Sequence, residues 1–297
     1  MPNKLCASLF LAVALMCAGC ASEDRTSKAS AVNLPKDVPE KAKYHYNLGW
    51  IAGQNGKLEV ALKEFNAALK EYPNYAEAHH DKGLALGKLG YVKQSVPEFE
   101  RAIELKPNFA EAYYNLGVAY VQLSDRQRAR DLFNRCLNLE PAHARAHLSM
   151  AGLFEQEGKV DAAKHHLIDY LRIKPSDPAA RIYLGELYFQ EGSFQSAIPE
   201  YEHALKEEPR SSRAAYRLGV IYHNANELDR AMYYYNKVLA LDGNHAETLT
   251  NMGSIEFARR HYRPAFNYYS RAAALDSSNA VARDQMIKLR TLLSGGQ

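Results

Sequence analysis

A spacing of 34 residues recurs along this chain and leaves little freedom for any fold other than a stack of copies. Glycine or alanine fills one slot of the repeat seven times without insertion or deletion, at Gly49, Gly83, Gly117, Ala151, Gly185, Gly219 and Gly253. Twelve residues later stands alanine or serine, and four residues after that Phe, Tyr or Leu. A sequence period of this length indicates repeated structural units in which each copy packs on its neighbours.

Each repeat carries the pattern of two helices. In the third repeat a first apolar stripe follows the spacing i, i+3, i+4, i+7, at Tyr113, Leu116, Gly117 and Tyr120. Ser124 and Asp125 indicate a turn, and a second stripe follows at Ala129, Leu132, Phe133 and Cys136. Pro141 ends the second helix because proline cannot continue it. Small residues at the glycine and alanine slots indicate two helices that cross closely.

These residues resemble the tetratricopeptide repeat (TPR), which has a Leu-Gly pair, a Tyr three residues on, an Ala, an aromatic residue and a closing Pro. The resemblance implies an all-α fold, a superhelical solenoid of helix-turn-helix units ending in a capping helix. It places seven units at 42–75, 76–109, 110–143, 144–177, 178–211, 212–245 and 246–279, and the capping helix and tail at 280–297. In that last helix we expect Val281, Met286, Ile287 and Leu293 to face the core.

The first residues have the features of an export signal. Lys4 precedes an apolar stretch over 5–16 that is too short to span a bilayer. The following Cys17-Ala18-Gly19-Cys20 resembles the bacterial lipobox, although Cys17 stands where that motif usually has Leu. The resemblance implies a signal peptide over 1–19, lipidation of Cys20 and a flexible tether over 20–41.

Ala21 after the modified cysteine implies, by analogy with enteric lipoproteins, sorting to the periplasmic face of the outer membrane. The alternative is ordinary cleavage near Ala21, which gives a soluble periplasmic protein. After either cleavage the folded part keeps a single cysteine, Cys136, so no intramolecular disulfide is expected there. We expect Cys136 to fill a small core position.

The TPR family binds partners with first-helix residues that packing leaves free, at positions two, five, six, nine, twelve and thirteen of the unit. On these positions we predict a groove that binds a protein or an extended peptide. Its candidate residues are Tyr46, Asn47, Trp50, His80, Leu84, Tyr114, Asn115, Val118, Arg213, Tyr216 and Arg217. Trp50, the single tryptophan, is expected to be partly exposed and to act with Tyr114 as an aromatic anchor. Arg213 and Arg217 stand where chaperone-binding TPR proteins hold a carboxylate.

Other function classes find less support. A net charge of +3 over 297 residues, with no strongly basic block, argues against nucleic acid as a partner. Histidines are adjacent at 79–80 and 165–166, and His143 and His147 stand four residues apart. Neither a third ligand nor an HExxH glutamate follows the last pair, and no CxxCH haem motif is present. No catalytic signature stands out, so we expect neither an enzyme nor a bound cofactor.

The sequence therefore predicts a non-catalytic scaffold or adaptor of cell-envelope assembly, pilotin-like or similar. Adaptors for peptidoglycan enzymes or for polysaccharide export remain open, and so does a metal- or haem-associated envelope protein. Oligomeric state and partner identity do not follow from the sequence.

Overall fold

The computed structural model describes residues 38–294, and the described chain consists of α-helices joined by short turns. The predicted signal peptide, Cys20, most of the tether and residues 295–297 lie outside the described residues. The helices are α1 (Glu40–Gln54), α2 (Leu58–Glu71), α3 (Ala76–Lys88), α4 (Val92–Leu105), α5 (Ala110–Gln122), α6 (Arg126–Leu139), α7 (Ala144–Gln156), α8 (Val160–Ile173), α9 (Pro178–Gln190), α10 (Phe194–Glu207), α11 (Ser212–Asn224), α12 (Leu228–Leu241), α13 (Ala246–Ala258), α14 (Tyr262–Leu275) and α15 (Ala280–Ser294).

The helices form two compact units, one ending at Ile173 and the other beginning at Lys174. The N-terminal unit contains the hairpins α1/α2, α3/α4, α5/α6 and α7/α8, and the C-terminal unit contains α9/α10, α11/α12, α13/α14 and the last helix α15. Within each unit the second helix of a hairpin also packs on the first helix of the next, as in a solenoid. The predicted all-α fold of stacked helix pairs is confirmed. Among the described helices, none has the length and apolar character needed to cross a bilayer.

In six of the seven repeats the glycine slot faces an aromatic ring on the second helix of the same hairpin. A Cβ atom built on Gly83 would lie 2.8 Å from Cε1 of Phe99, and one on Gly219 would lie 2.5 Å from Cε1 of Tyr235. Real carbon atoms do not approach this closely, so the ring occupies the volume that any side chain would need. The slot is therefore small because of the ring itself.

The fourth repeat solves the same packing problem with different residues. Ala151 takes the glycine slot, and Leu167 takes the place of the ring. Both side chains are fully buried. A branched aliphatic side chain leaves room for one methyl group where a ring does not, so the two exchanges compensate each other.

The turn inside each hairpin needs one residue with positive φ. This residue is the fifteenth of every repeat, and glycine holds it in four of them, at Gly56, Gly90, Gly158 and Gly192. Ser124, Asn226 and Arg260 adopt the same conformation in the other three, with φ of 64°, 59° and 63°. Left-handed backbone costs a residue with a Cβ about 1–2 kcal/mol, so stacking of the two helices must impose the turn there.

Both ends of the described chain differ from the sequence expectation. The tether was expected to reach Lys41, but α1 begins at Glu40 and Val38 is already buried. In α15 the buried side chains are Ala282 and Leu289, with Met286 partly buried against them. The expectation that Val281, Ile287 and Leu293 face the core was wrong, because all three are exposed. Helix α15 therefore packs through the face that carries Ala282, Met286 and Leu289.

We expect Gly83→Ala to lower the free energy of unfolding by about 1–3 kcal/mol, because its methyl group overlaps the Phe99 ring. The same change at Gly87 in the same helix, where a Cβ meets nothing within 4 Å, should be neutral or stabilise by about 0.5–1 kcal/mol. In a Phe99→Leu background, Gly83→Ala should lose most of its cost, as the Ala151–Leu167 pair indicates. Chemical denaturation of the four variants measures this coupling. An equal cost for Gly83→Ala in both backgrounds would contradict the role given to the ring.

Candidate partner-binding face

The first-helix face is the surface formed by positions two, five, six, nine, twelve and thirteen of α1, α3, α5 and α7 in the N-terminal unit, and of α9, α11 and α13 in the C-terminal unit. The structure divides the predicted site residues on it into three classes. Asn47 and Arg213 are exposed. Half-buried side chains are Trp50, Leu84, Val118, Tyr216 and Arg217. Buried side chains are Tyr46, His80, Tyr114 and Asn115.

The buried class corrects the sequence prediction for position five. Tyr46 and Tyr114 are each only 3% exposed, because position five packs on the last residue of its own repeat. The ring of Tyr46 lies 4.9 Å from that of Tyr75, and the ring of Tyr114 lies 4.9 Å from the imidazole of His143. His80 packs in the same way on Phe109, at 4.8 Å. These residues belong to the core, and Tyr114 cannot be an exposed aromatic anchor.

A chain of hydrogen bonds links the buried polar groups of the first three repeats. The Tyr46 hydroxyl donates to Oδ2 of Asp81 at 2.8 Å, and Oδ1 of the same carboxylate lies 2.8 Å from Nδ1 of His80. Because a carboxylate only accepts, Nδ1 of His80 carries the proton. Nε2 of His80 is then free to accept from Nδ2 of Asn115, at 2.9 Å. Asp81 and His80 therefore each make two of these hydrogen bonds, one to each neighbour in the chain.

The same chain continues through Glu111 into the fourth repeat. Asn115 donates to Oε1 of Glu111 at 3.3 Å, and Arg145 donates to the same oxygen at 2.5 Å. His143 accepts the Ala146 N–H at Nδ1, so its Nε2–H donates to Oε2 of Glu111, at 3.1 Å. Burial opposes the charge of Glu111, but His143 and Arg145 outweigh it and hold the pKa of the carboxyl well below its usual range.

On the first-helix face of the first three repeats, position nine carries half-buried apolar side chains. Leu84 packs partly against the cluster around Phe99, and Val118 packs partly against the cluster around Phe133. Trp50 occupies the same position in the first repeat and is half-buried, with the exposed Asn47 one turn before it. The expected partial exposure of Trp50 agrees with the structure, and the arrangement offers a partner an indole beside a free amide.

In the C-terminal unit the two arginines proposed for carboxylate binding already have a carboxylate. Arg217 donates to both oxygens of Glu186 at 2.8 Å, and Arg213 donates to Oε1 at 3.3 Å. The guanidinium of Arg217 also lies over the ring of Phe189, at 4.5 Å. Burial opposes the charge of Glu186, but hydrogen bonds from Arg217 and the charge of Arg213 keep its pKa below the usual value. An incoming carboxylate would have to displace Glu186.

The predicted site residues include no acid, yet Asp81 and Glu111 accept hydrogen bonds in the N-terminal unit and Glu186 accepts them in the C-terminal unit. The repeat spacing in the sequence nevertheless contains a signal for these acids. Each acid stands on the first-helix face, and a cationic or donor residue stands on the same face one repeat away. A search for such pairs one repeat apart would have found them.

Comparisons with known proteins agree with the repeat. A family model described as tetratricopeptide repeat matches residues 148–204 and 184–246, and a second model of that description matches 42–75 and 110–143. A model described as TPR repeat matches 92–124. Together the matches cover more than half of the chain, and none of the three describes a catalytic family. A comparison with curated protein sequences finds no match.

Solved structures of TPR proteins share the fold at low sequence identity. The C-terminal part of a TPR repeat-containing protein from Cytophaga hutchinsonii is 14% identical with a TM-score of 0.68, covering 81% of this chain and 99% of its own. PilF from Pseudomonas aeruginosa is 17% identical with a TM-score of 0.54, covering 72% and 97%. YrrB, described as a TPR protein with an unusual peptide-binding site, is 20% identical with a TM-score of 0.55, covering 62% and 95%.

The repeat register, the stacked helix hairpins and the matching family models lead to one assignment. The chain belongs to the tetratricopeptide repeat family, whose repeats bind proteins and peptides.

Proposed function

We propose that this protein is a non-catalytic scaffold that binds an extended peptide or a partner helix on the first-helix face of its N-terminal unit, during assembly of the cell envelope. The observation that carries the proposal is the half-buried Trp50 beside the exposed Asn47. An indole on a rigid surface gives a partner a large apolar contact at low entropic cost. An amide beside it can pair with a peptide backbone.

The hydrogen-bonded chain of buried polar side chains supports this assignment. The side chains of Tyr46, Asp81, His80 and Asn115 already satisfy one another, so a ligand need not order them. A surface that is ordered before binding loses less conformational entropy when the partner arrives. Selectivity then comes from groups that remain accessible, which are Trp50, Leu84, Val118 and Asn47.

The envelope location belongs to the same proposal and rests on residues 1–41. The lipobox-like ending before Cys20 favours a lipid anchor on the periplasmic face of the outer membrane, and ordinary cleavage near Ala21 is the alternative. PilF, one of the structures that share this fold, makes a pilotin-like role the version to test first. In the alternative roles, as an adaptor for peptidoglycan enzymes or for polysaccharide export, this protein would use the same face and would bind a different partner.

A photo-crosslinking amino acid placed at Asn47 tests the binding face directly. Its matched control is Asn66, which is also exposed and belongs to the second helix of the same hairpin. We expect a crosslinked partner, identified by mass spectrometry of envelope fractions, from position 47 and not from position 66. Crosslinking that is equally efficient at both positions, or confined to position 66, would place the partner elsewhere.

Once the partner is identified, Trp50→Ala should weaken its binding by about 1–3 kcal/mol, because the substitution removes the indole that contacts the partner. Titration calorimetry measures the affinity, and the emission of this single tryptophan should shift when the unmodified protein is saturated. Melting temperature should change little in Trp50→Ala. By contrast, Tyr114→Ala should destabilise the fold by about 3–5 kcal/mol, since Tyr114 is a core residue. Unchanged affinity together with a large loss of stability in Trp50→Ala would show that Trp50 too is core.

Replacing Cys20 with Ser tests the anchor. We expect the unmodified protein to incorporate labelled fatty acid and to fractionate with the outer membrane, and the variant to lose the label and appear in the periplasmic fraction. An unlabelled wild-type protein would contradict the lipoprotein assignment, and an unlabelled protein in the soluble periplasm would support cleavage near Ala21.

A further inference from the structure

We propose that the fourth repeat contains a zinc site formed by His147 on α7 and by His166 and Asp169 on α8. One ligand atom from each residue lies within 4.8 Å of the others, and the group bridges the two helices of one hairpin. This site lies outside the groups that we assign to partner binding.

The repeat supplies an internal comparison, because the fourth and twenty-third positions of a unit face each other across the hairpin. In the first two repeats the pair is a histidine and a glutamate, His45 with Glu64 at 2.8 Å and His79 with Glu98 at 2.7 Å. In the fifth repeat it is Arg181 with Glu200, at 2.8 Å. In the fourth repeat His166 replaces the acid, so an ion pair is exchanged for two imidazoles.

The fourth repeat has a carboxylate three residues after His166, in the same helix. Asp169 occupies position twenty-six, where the other repeats have Ala67, Arg101, Arg135, His203, Lys237 and Arg271. The fourth repeat is therefore the one in which three ligand-type side chains, two imidazoles and a carboxylate, meet in this register. Packing does not require this combination, since the other repeats stack without it.

The distances suit a tetrahedral ion. Nδ1 of His147 lies 3.1 Å from Nδ1 of His166 and 3.9 Å from Oδ2 of Asp169. Zinc bonds of about 2.0–2.1 Å at tetrahedral angles place ligand atoms roughly 3.3 Å apart. Small side-chain rotations therefore bring all three atoms to bonding distance.

The surrounding hydrogen bonds orient two of the ligands. Nε2–H of His147 donates to the carbonyl oxygen of Pro141 at 3.0 Å, which leaves the Nδ1 lone pair directed toward His166. Arg172 donates to Oδ1 of Asp169 at 2.6 Å, so Oδ2 is the oxygen that faces the imidazoles. Such second contacts fix the orientation of ligands at metal sites. Phe154 stacks on the His166 ring, with the centroids 5.5 Å apart.

Metal binding would replace the hydrogen bond between the His147 and His166 imidazoles with one coordinate bond from each ring. Since Nδ1 of His147 is the acceptor, the hydrogen between the two rings belongs to Nδ1 of His166. Zinc takes the place of that hydrogen, and His166 then carries its proton on Nε2, so no net proton is released. His165, exposed and with Nε2 at 3.4 Å from Oδ2 of Asp169, lies at the outer side of the site. Three protein ligands leave a fourth position for water or for a group from a partner.

Zinc titration of the full chain, purified without an affinity tag and stripped with a chelator, tests the site. We expect one zinc ion per chain with a dissociation constant in the micromolar range or below, and a rise in melting temperature on saturation. Cobalt(II) should bind competitively and give the visible absorption of a low-coordinate nitrogen–oxygen site.

Two variants and one control decide the assignment. His166→Leu uses the residue found at this position in the third repeat, Leu132, and Asp169→Asn keeps the shape of the side chain. Each should weaken zinc binding at least about tenfold and abolish the metal-dependent rise in melting temperature. His203→Ala, which removes an exposed histidine from position twenty-six of the fifth repeat, should leave both unchanged. The absence of saturable zinc binding, or equal binding by all three variants, would overturn the proposal, and circular dichroism of the metal-free variants verifies that they fold.

Discussion

Close contact between a glycine on the first helix and a ring on the second sets the geometry of six of the seven hairpins. The ring occupies the space where a Cβ would be, so the two helices approach as closely as their backbones allow. This approach leaves the alanine twelve residues after the glycine fully buried, as at Ala61 and Ala231. It also requires a turn that reverses the chain within a few residues, and the left-handed fifteenth position supplies it. The same contact therefore fixes helix spacing and turn conformation together.

The contact also explains why several aromatic side chains predicted for the first-helix face are buried. Once the ring at position twenty-four fills the hairpin, position five has an apolar surface beside it, and the last residue of the repeat closes the other side. Tyr46 lies between Phe65 and Tyr75 in this way, with ring centroids 5.9 and 4.9 Å apart. An aromatic residue at position five gains more from this burial than from contact with solvent. Trp50 at position nine, by contrast, is only half-buried.

The sequence predicts the parts of this structure that repeat, and it fails where a residue depends on one particular neighbour. The 34-residue register and the glycine, alanine and ring slots predict helix pairs, because the same pattern recurs seven times and errors at single positions cancel. Position five was wrong because helical geometry places it beside the packed stripe, while its burial depends on Tyr75 and His143 at the far end of the repeat. The capping helix is present, but its buried face was predicted wrongly, because a terminal helix has one neighbour and the choice of buried face rests on a single contact. The histidine pairs were judged by their spacing along the chain, whereas His147 and His166 meet across a hairpin.

Variation at positions four and twenty-three shows how a repeat gains chemistry without changing its fold. This pair lies beside the core, so its side chains contact each other while the contact between the glycine slot and position twenty-four holds the helices. Histidine with glutamate, arginine with glutamate and histidine with histidine all occupy this place between the two helices of a hairpin. The fourth repeat, which lacks the ring, is the repeat that carries the paired imidazoles. A metal bound there would join α7 and α8 through coordinate bonds, so the hairpin that lacks the glycine–ring contact would gain a second link between its helices.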